Sequence, residues 1–375
     1  MKIILIGPVY PYKTGLSYYV GLLYRKLREN HEVTLYSYSF QYPKLLYKKP
    51  QKDYEDDTVR VENVEYILNS ANPFSWISLA RRINKDKPDL VIFQWLHPYF
   101  TPCYWSIIKL LKNIKVLYIC HNAIPHERFM FDSLLTKKAL KNADFLIAHS
   151  KSDAKILKSM LPDANIKINP HPAYNFFKIK NMSREDARKK MQLDNENKVL
   201  LFFGLVREYK GLKYLIKAIP IIKEKIPDIK LLIAGDFGDN KEEYINLINE
   251  SCVNDVIKIY AGHIPIIDVE KFFAACDMVV LPYESATQSG VIQVAYGFEK
   301  PVLATCVGGL PDVVQNMKTG YLVEPKNELE ISEAIVDYFK NKREKEFSTH
   351  IQESAYRFSW DRMQKCIESF FDENN

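Results

Sequence analysis

Short runs of consecutive apolar residues alternate along the chain with longer stretches in which apolar positions recur every three or four residues. Unbroken apolar runs fit strands buried on both faces, and the three-to-four spacing fits helices lying on a sheet. In the first half, strands are predicted at 2–7, 32–38, 63–68, 89–94, 115–120 and 144–149. Helices are predicted between several of them, at 16–28, 75–85, 104–112, 132–141 and 152–160. The rhythm breaks at Asn169-Pro170-His171-Pro172, where two prolines make a stiff linker. It then restarts, with strands at 198–204, 230–235, 256–261, 277–281, 301–304 and 320–323. The helices of this half are expected at 212–226, 241–252, 268–276, 290–298 and 328–340. A final amphipathic helix covers 363–371, with Ser359 as a candidate N-cap. Alternation of this kind predicts an α/β chain with two Rossmann-like, doubly wound parallel-sheet domains. We place them at 1–172 and 173–358, with 359–375 packing back on the first. Such sheets bind ligands beyond the carboxyl ends of their strands, so the chemistry is expected in the loops after strands, facing a central cleft.

Length agrees, because 375 residues exceed what one core usually fills. No apolar run approaches the roughly 20 residues of a membrane helix. The first residues are too short for a signal peptide and read as a strand. The six cysteines lack CxxC spacing and read as reduced thiols of a cytoplasmic protein. Net charge is +6 but uneven: residues 1–175 hold 25 Lys and Arg against 15 Asp and Glu. That basic half suits polyphosphate, anionic lipid or nucleic acid, or is simply a solvated Lys-rich surface.

Several loops after strands carry candidate chemistry. Tyr283 to Gly290 leads directly into a helix, leaving the Ser289 and Gly290 amides open to an anion, or forming an ordinary βα turn. Gly204 to Gly211 brings Arg207 and Lys210 before a helix, as an electrophilic clamp or as two exposed cations. Gly7 to Gly15 reads as a phosphate- or sugar-binding turn, or as a structural one. After the fifth strand come His121, His126 and Glu127. Their spacing is unlike a helical metal site and favours a polar cluster that grips a sugar or handles its protons. Trp95 and His97 form an acceptor platform or a capping hydrophobic cluster. The 104–112 helix mixes apolar residues with Lys, as a core helix or one lying on an anionic membrane surface.

Together these residues resemble the GT-B glycosyltransferases of family 4, the group 1 glycosyl transferases. The resemblance runs from Lys2 to the final helix. Phe202-Phe203-Gly204 with Arg207, Lys210 and Gly211 is similar to the family's diphosphate site, and His121-Asn122 to its first-domain histidine. Gly235-Asp236 resembles the turn near the nucleotide base. Ala286 to Gly290 resembles the donor-sugar loop, and Gly308-Gly309 the turn that follows it. The resemblance implies a retaining, metal-independent enzyme moving a hexosyl group from a nucleotide diphosphate sugar to a glycan or lipid-linked acceptor, in surface polysaccharide synthesis. It implies catalytic roles for Arg207, Lys210, His121 and Glu127. It implies donor contacts from Gly15, Gly204, Gly235, Asp236, Ile264, Thr287, Gln288, Ser289, Gly290 and Gln293, and acceptor contacts from Trp95, His97 and His126. No cofactor, metal or nucleic acid is expected. The enzyme would be cytoplasmic, with the basic first domain touching the inner membrane surface. One departure stands out: aligned on Pro301, the family's Glu-x7-Glu falls on Ala286 and Val294, and counted from Glu284 its second position falls on Ile292. The ribose-holding role then passes to Gln293 or Gln288, or is lost. A non-catalytic sugar- or nucleotide-binding module and a sugar-nucleotide epimerase are the rival readings.

Overall fold

The structure is a computed structural model that describes residues 1–12, 15–47, 50–54, 57–58, 60–123 and 131–372. The chain divides into two compact units, residues 1–170 with 360–375, and residues 171–359. The first contains seven parallel strands: β1 (Lys2–Ile6), β2 (Glu32–Phe40), β3 (Val64–Asn69), β4 (Leu90–Trp95), β5 (Lys115–Cys120), β6 (Phe145–Ala148) and β7 (Asn165–Ile168). Their order is β3-β2-β1-β4-β5-β6-β7. Helices α1 (Gly15–Leu27), α2 (Pro73–Asp86), α3 (Thr101–Leu110), α4 (Asp132–Leu140) and α5 (Lys151–Met160) lie between the strands in sequence. Alternate residues of one strand feed two different cores. Ile4 and Ile6 join Phe93, Tyr118 and α3, whereas Ile3 and Leu5 join Leu23 of α1 and Ile367 of the last helix. This is the signature of a parallel sheet covered on both sides.

The second unit holds six parallel strands: β8 (Lys198–Phe203), β9 (Ile229–Gly235), β10 (Ile257–Ala261), β11 (Met278–Leu281), β12 (Val302–Thr305) and β13 (Gly320–Val323). Their order is β10-β9-β8-β11-β12-β13. Its helices are α6 (Arg184–Lys190), α7 (Leu212–Lys225), α8 (Lys241–Glu250), α9 (Ile266–Ala275), α10 (Gly290–Gly297), α11 (Glu328–Lys340) and α12 (Glu344–Glu353). The last helix, α13 (Trp360–Asp372), belongs to the first unit. Phe370 stacks on Phe145 of β6, and Asp361 pairs with Lys26 of α1 at 2.6 Å.

Three elements escape the apolar pattern. β7 is only four residues and half polar. α6 is charged nearly all round and buries only Ala187 and Arg188, and α12 buries only Phe347 and Ile351, one short pair that is too little to announce a helix. The helix expected at 104–112 runs over Thr101–Leu110 as a core helix: Tyr104, Ile107 and Ile108 face the core, and Lys109 and Leu110 at its end are exposed. Among the described residues, no helix is long and apolar enough to cross a membrane.

Candidate active site

In the second unit the strand order reverses between β8 and β11, so the loops after these two strands flank the topological switch point. Lys210 closes a short turn, Glu208–Lys210, that ends on Gly211 in the left-handed region. Its ammonium stands over Gly204: a β-carbon there would lie 3.5 Å from Lys210 Nζ and 3.7 Å from Val291 Cγ2. The same Nζ sits 5.3 Å from the centre of the Tyr283 ring. Tyr283 Oη is 3.3 Å from Ser289 Oγ, at the N-cap of α10. The Ser289 side chain does not cap that helix, so the first-turn amides of Gly290 and Val291 are left uncapped by it. Open amides, the positive end of the helix dipole and a nearby ammonium together favour an anion.

Arg207 points elsewhere. Its Nη1 lies 2.9 Å from the position of a β-carbon at Gly238, in the loop after β9. Since β8 lies between β9 and β11, Arg207 and Lys210 face opposite neighbours of the same strand. The reason is local: Arg207 has extended backbone ahead of the turn that Lys210 ends, so the two side chains diverge.

The other donor candidates shape the loops. A β-carbon on Gly235 would stand 1.8 Å from the Gly204 carbonyl oxygen. The Val206 N–H donates to the Asp236 carbonyl at 2.8 Å, and Asp236 Oδ1 accepts from the Gly238 N–H at 2.8 Å. Ile264 is half-buried between β10 and α9. The Thr287 carbonyl accepts from the Gly309 N–H at 3.0 Å. Next to it, Gly308 has φ 54° and approaches so closely that a β-carbon would lie 1.5 Å from the Ala286 oxygen. Only glycine allows both the left-handed backbone and that contact. Gln288 Nε2 and Gln293 Oε1 are buried without a hydrogen-bond partner among the described residues, and Gln293 is 1% exposed. Glu284 pairs with Lys213 at 3.2 Å and Lys326 at 2.9 Å. The hydrogen bond from Lys326 leads the effects that hold its carboxyl below the usual range.

In the first unit, His121 follows β5. Its Nε2 lies 2.7 Å from Gln94 Oε1, and its backbone N–H donates to the Trp95 carbonyl at 3.1 Å. Tyr19 of α1 meets the His121 ring edge-on at 4.7 Å, and the His149 ring is 5.2 Å away. His149 is buried, with Nδ1 2.8 Å from the Asn169 carbonyl oxygen. Burial pushes its pKa down to about 4. Gln94, Tyr19 and His149 had no site role in the sequence reading. A lone glutamine inside the apolar run Leu90–Trp95 was the available signal.

Trp95 is corrected. It is fully buried in the core against Tyr118, so it offers no face to a sugar. His97 caps a short turn, with Nδ1 accepting from the Tyr99 N–H at 3.1 Å, and burial lowers its pKa. Gly15 starts α1 with open space where a β-carbon would be. His126 and Glu127 lie outside the described residues. Among the described residues, no three His, Cys, Asp or Glu side chains are grouped to hold a metal ion.

Two family models match the chain: "Glycosyltransferase Family 4" over residues 13–172 and "Glycosyl transferases group 1" over residues 183–358. An uncharacterised glycosyltransferase of Methanocaldococcus jannaschii is 26% identical, covering 98% of this chain and 96% of that protein. Among solved structures, HepE from Anabaena in complex with UDP-glucose superposes with a TM-score of 0.75 at 17% identity, with 100% of both chains covered. Sucrose-phosphate synthase from Thermosynechococcus elongatus gives a TM-score of 0.74 at 18% identity, covering 99% of this chain and 98% of that one.

Proposed function

Because the chain belongs to the family 4, group 1 glycosyltransferases and has their GT-B architecture, we propose that it moves a hexosyl group from a nucleotide diphosphate sugar to a glycan or lipid-linked sugar. The observation that carries this reading is the Lys210 ammonium beside the uncapped start of α10 at the β8/β11 switch point. A departing diphosphate gains negative charge as the glycosidic bond breaks, and fixed positive groups lower that barrier. HepE, a relative in fold, was solved with UDP and with UDP-glucose, which supports a uridine donor as the first to try.

In this reading, Lys210 and the Gly290 and Val291 amides take up the diphosphate charge. Arg207 supports the second loop, after β9, where the base and the outer phosphate edge would lie. Gln288 Nε2 and Gln293 Oε1, both buried without partners among the described residues, supply donor hydroxyl contacts in place of the glutamates replaced by Ala286 and Val294. His121 positions the sugar, with its ring set by Gln94. The reaction retains configuration and uses no metal. The bond from C1 to phosphate breaks, the acceptor oxygen bonds C1 on the same face, and the acceptor proton passes to the leaving phosphate.

The test is transfer by the Arg207→Ala, Lys210→Ala double variant. Loss of one electrostatic contact of this kind costs about 3–4 kcal/mol, so turnover should drop by at least about 100-fold with the thermal midpoint unchanged. Near-native turnover would remove the leaving-group role from Lys210 and the supporting role from Arg207. The replaced glutamates favour one alternative, a binding module without catalysis. Tight nucleotide-sugar binding with no turnover across acceptors would select it.

A further inference from the structure

A cavity opens at the far end of the second unit's sheet, away from the loops that carry the donor candidates. It measures about 580 Å³, a volume within the span of small-molecule sites. Lys198 and Asp277 stand in its wall, at the start of β8 and just ahead of β11. Lys210 and Ser289 follow the opposite ends of those two strands. The six residues of β8 therefore separate the two places, by roughly 17 Å at strand rise.

Four cations line this cavity, and they arrive from separate parts of the chain. Arg184 comes from the start of α6, Lys198 from β8, and Lys342 and Lys345 from the turn into α12 and its first residues. An ordinary solvated face would carry its charges at helical spacing on one element, whereas here the fold converges them. Two carboxylates oppose them, Asp277 and Glu344. Asp277 is already answered twice: Arg184 Nη2 donates to it at 2.5 Å, and fully buried Arg188 donates to it at 3.0 Å. Glu344 shares that Arg184, through Nη1 at 3.1 Å. Lys198 has a loose partner, exposed Asp228 at 3.8 Å. Lys342 and Lys345 are exposed and have no ion pair among the described residues. The wall is thus positive in balance. Half-buried Phe339 gives it an apolar side, and the Tyr338 hydroxyl is spent on the Asp277 carbonyl at 3.0 Å.

We propose that this cavity binds a phosphorylated small molecule of about monosaccharide size, as a site separate from the donor's. Lys198, Lys342 and Lys345 take the phosphate, and the ring body lies against Phe339. The excess of cations disfavours a metal ion, and the apolar side favours an organic ester over a bare inorganic anion. The assignment does not depend on the donor-site reading, so either can fail alone.

The experiment is the thermal midpoint of the full chain over a titration of glucose 6-phosphate, with glucose and inorganic phosphate in parallel at matched ionic strength. Glucose 6-phosphate should raise the midpoint, because a ligand of the folded state stabilises it by mass action. Glucose should not, and inorganic phosphate should need at least about 10-fold more for the same rise. Lys342→Gln with Lys345→Gln should keep the unliganded midpoint, since both side chains are exposed, and should need roughly 10-fold more glucose 6-phosphate. Glu344→Gln removes a carboxylate that faces the ligand and should lower the concentration required. Lys210→Ala should respond like the wild type, which separates this cavity from the donor site. No rise with glucose 6-phosphate, an equal rise with inorganic phosphate, a lysine double variant that responds like the wild type, weaker binding in Glu344→Gln, or a response lost in Lys210→Ala would overturn the proposal.

Discussion

His149 is a base held uncharged by its surroundings. Burial drops its pKa to about 4 from 6.5, the ordinary value it regains on unfolding. Between those values the unfolded chain binds a proton that the folded chain refuses. Stability is therefore complete above about pH 6.5 and declines as the pH falls towards 4, by about 3 kcal/mol from this residue. Urea unfolding at stepped pH should show that slope, and His149→Gln should flatten it. A slope unchanged in the variant would assign it to other groups. At this scale the sequence was partly legible. Lys210, Ser289 and Gly290 were singled out from their place between strand and helix, and the structure sets Lys210 and Ser289 beside Tyr283, with Lys210 over Gly204. The divergence of Arg207 was not legible, because it depends on a backbone turn that spacing alone does not reveal. Nor was the burial of Trp95. An aromatic residue at a strand end looks the same whether it faces the core or a ligand.

At the scale of elements, α6 shows how a charged helix can be anchored without an apolar stripe. Arg188 is fully buried; its Nη2 donates to both oxygens of Asp277 at 3.0 Å, and its Nε donates to the Ala275 carbonyl at 3.1 Å. Asp277 Oδ2 also accepts from the Val199 N–H at 2.7 Å, tying the start of β8 to the start of β11. Burial raises the Asp277 pKa, and the two arginines, Arg184 and Arg188, oppose that rise. Arg188→Ala would leave this carboxylate buried with half its compensation. We expect a loss of about 3–5 kcal/mol in urea unfolding. A loss under about 1 kcal/mol would mean that Arg184 alone suffices. The strands and most helices were readable because buried parallel strands are apolar throughout and their crossover helices carry one apolar stripe. β7, α6 and α12 were not, because short or charged elements draw their stability from tertiary partners that no local pattern records.

At the scale of the molecule, two parallel sheets of related winding each expose a switch point at their carboxyl ends. That plan follows from the alternation of strands and helices, and it concentrates the candidate chemistry in the loops after β5, β8 and β11. The two units differ in charge, with the Lys and Arg excess confined to the first 175 residues. The proposed anion binding at the second unit would therefore rest on a few placed groups rather than on net charge.

The most direct measurement is the thermal midpoint of the wild type and of Lys210→Ala over a titration of UDP, with GDP and ADP alongside. A ligand that binds the folded state raises its stability by about 2.7 kcal/mol at a hundred times its dissociation constant. At least one nucleoside diphosphate should raise the wild-type midpoint, and Lys210→Ala should need roughly 100-fold more of it for the same rise. Equal responses from both proteins, or none from the wild type, would contradict a diphosphate seat between Lys210 and the start of α10.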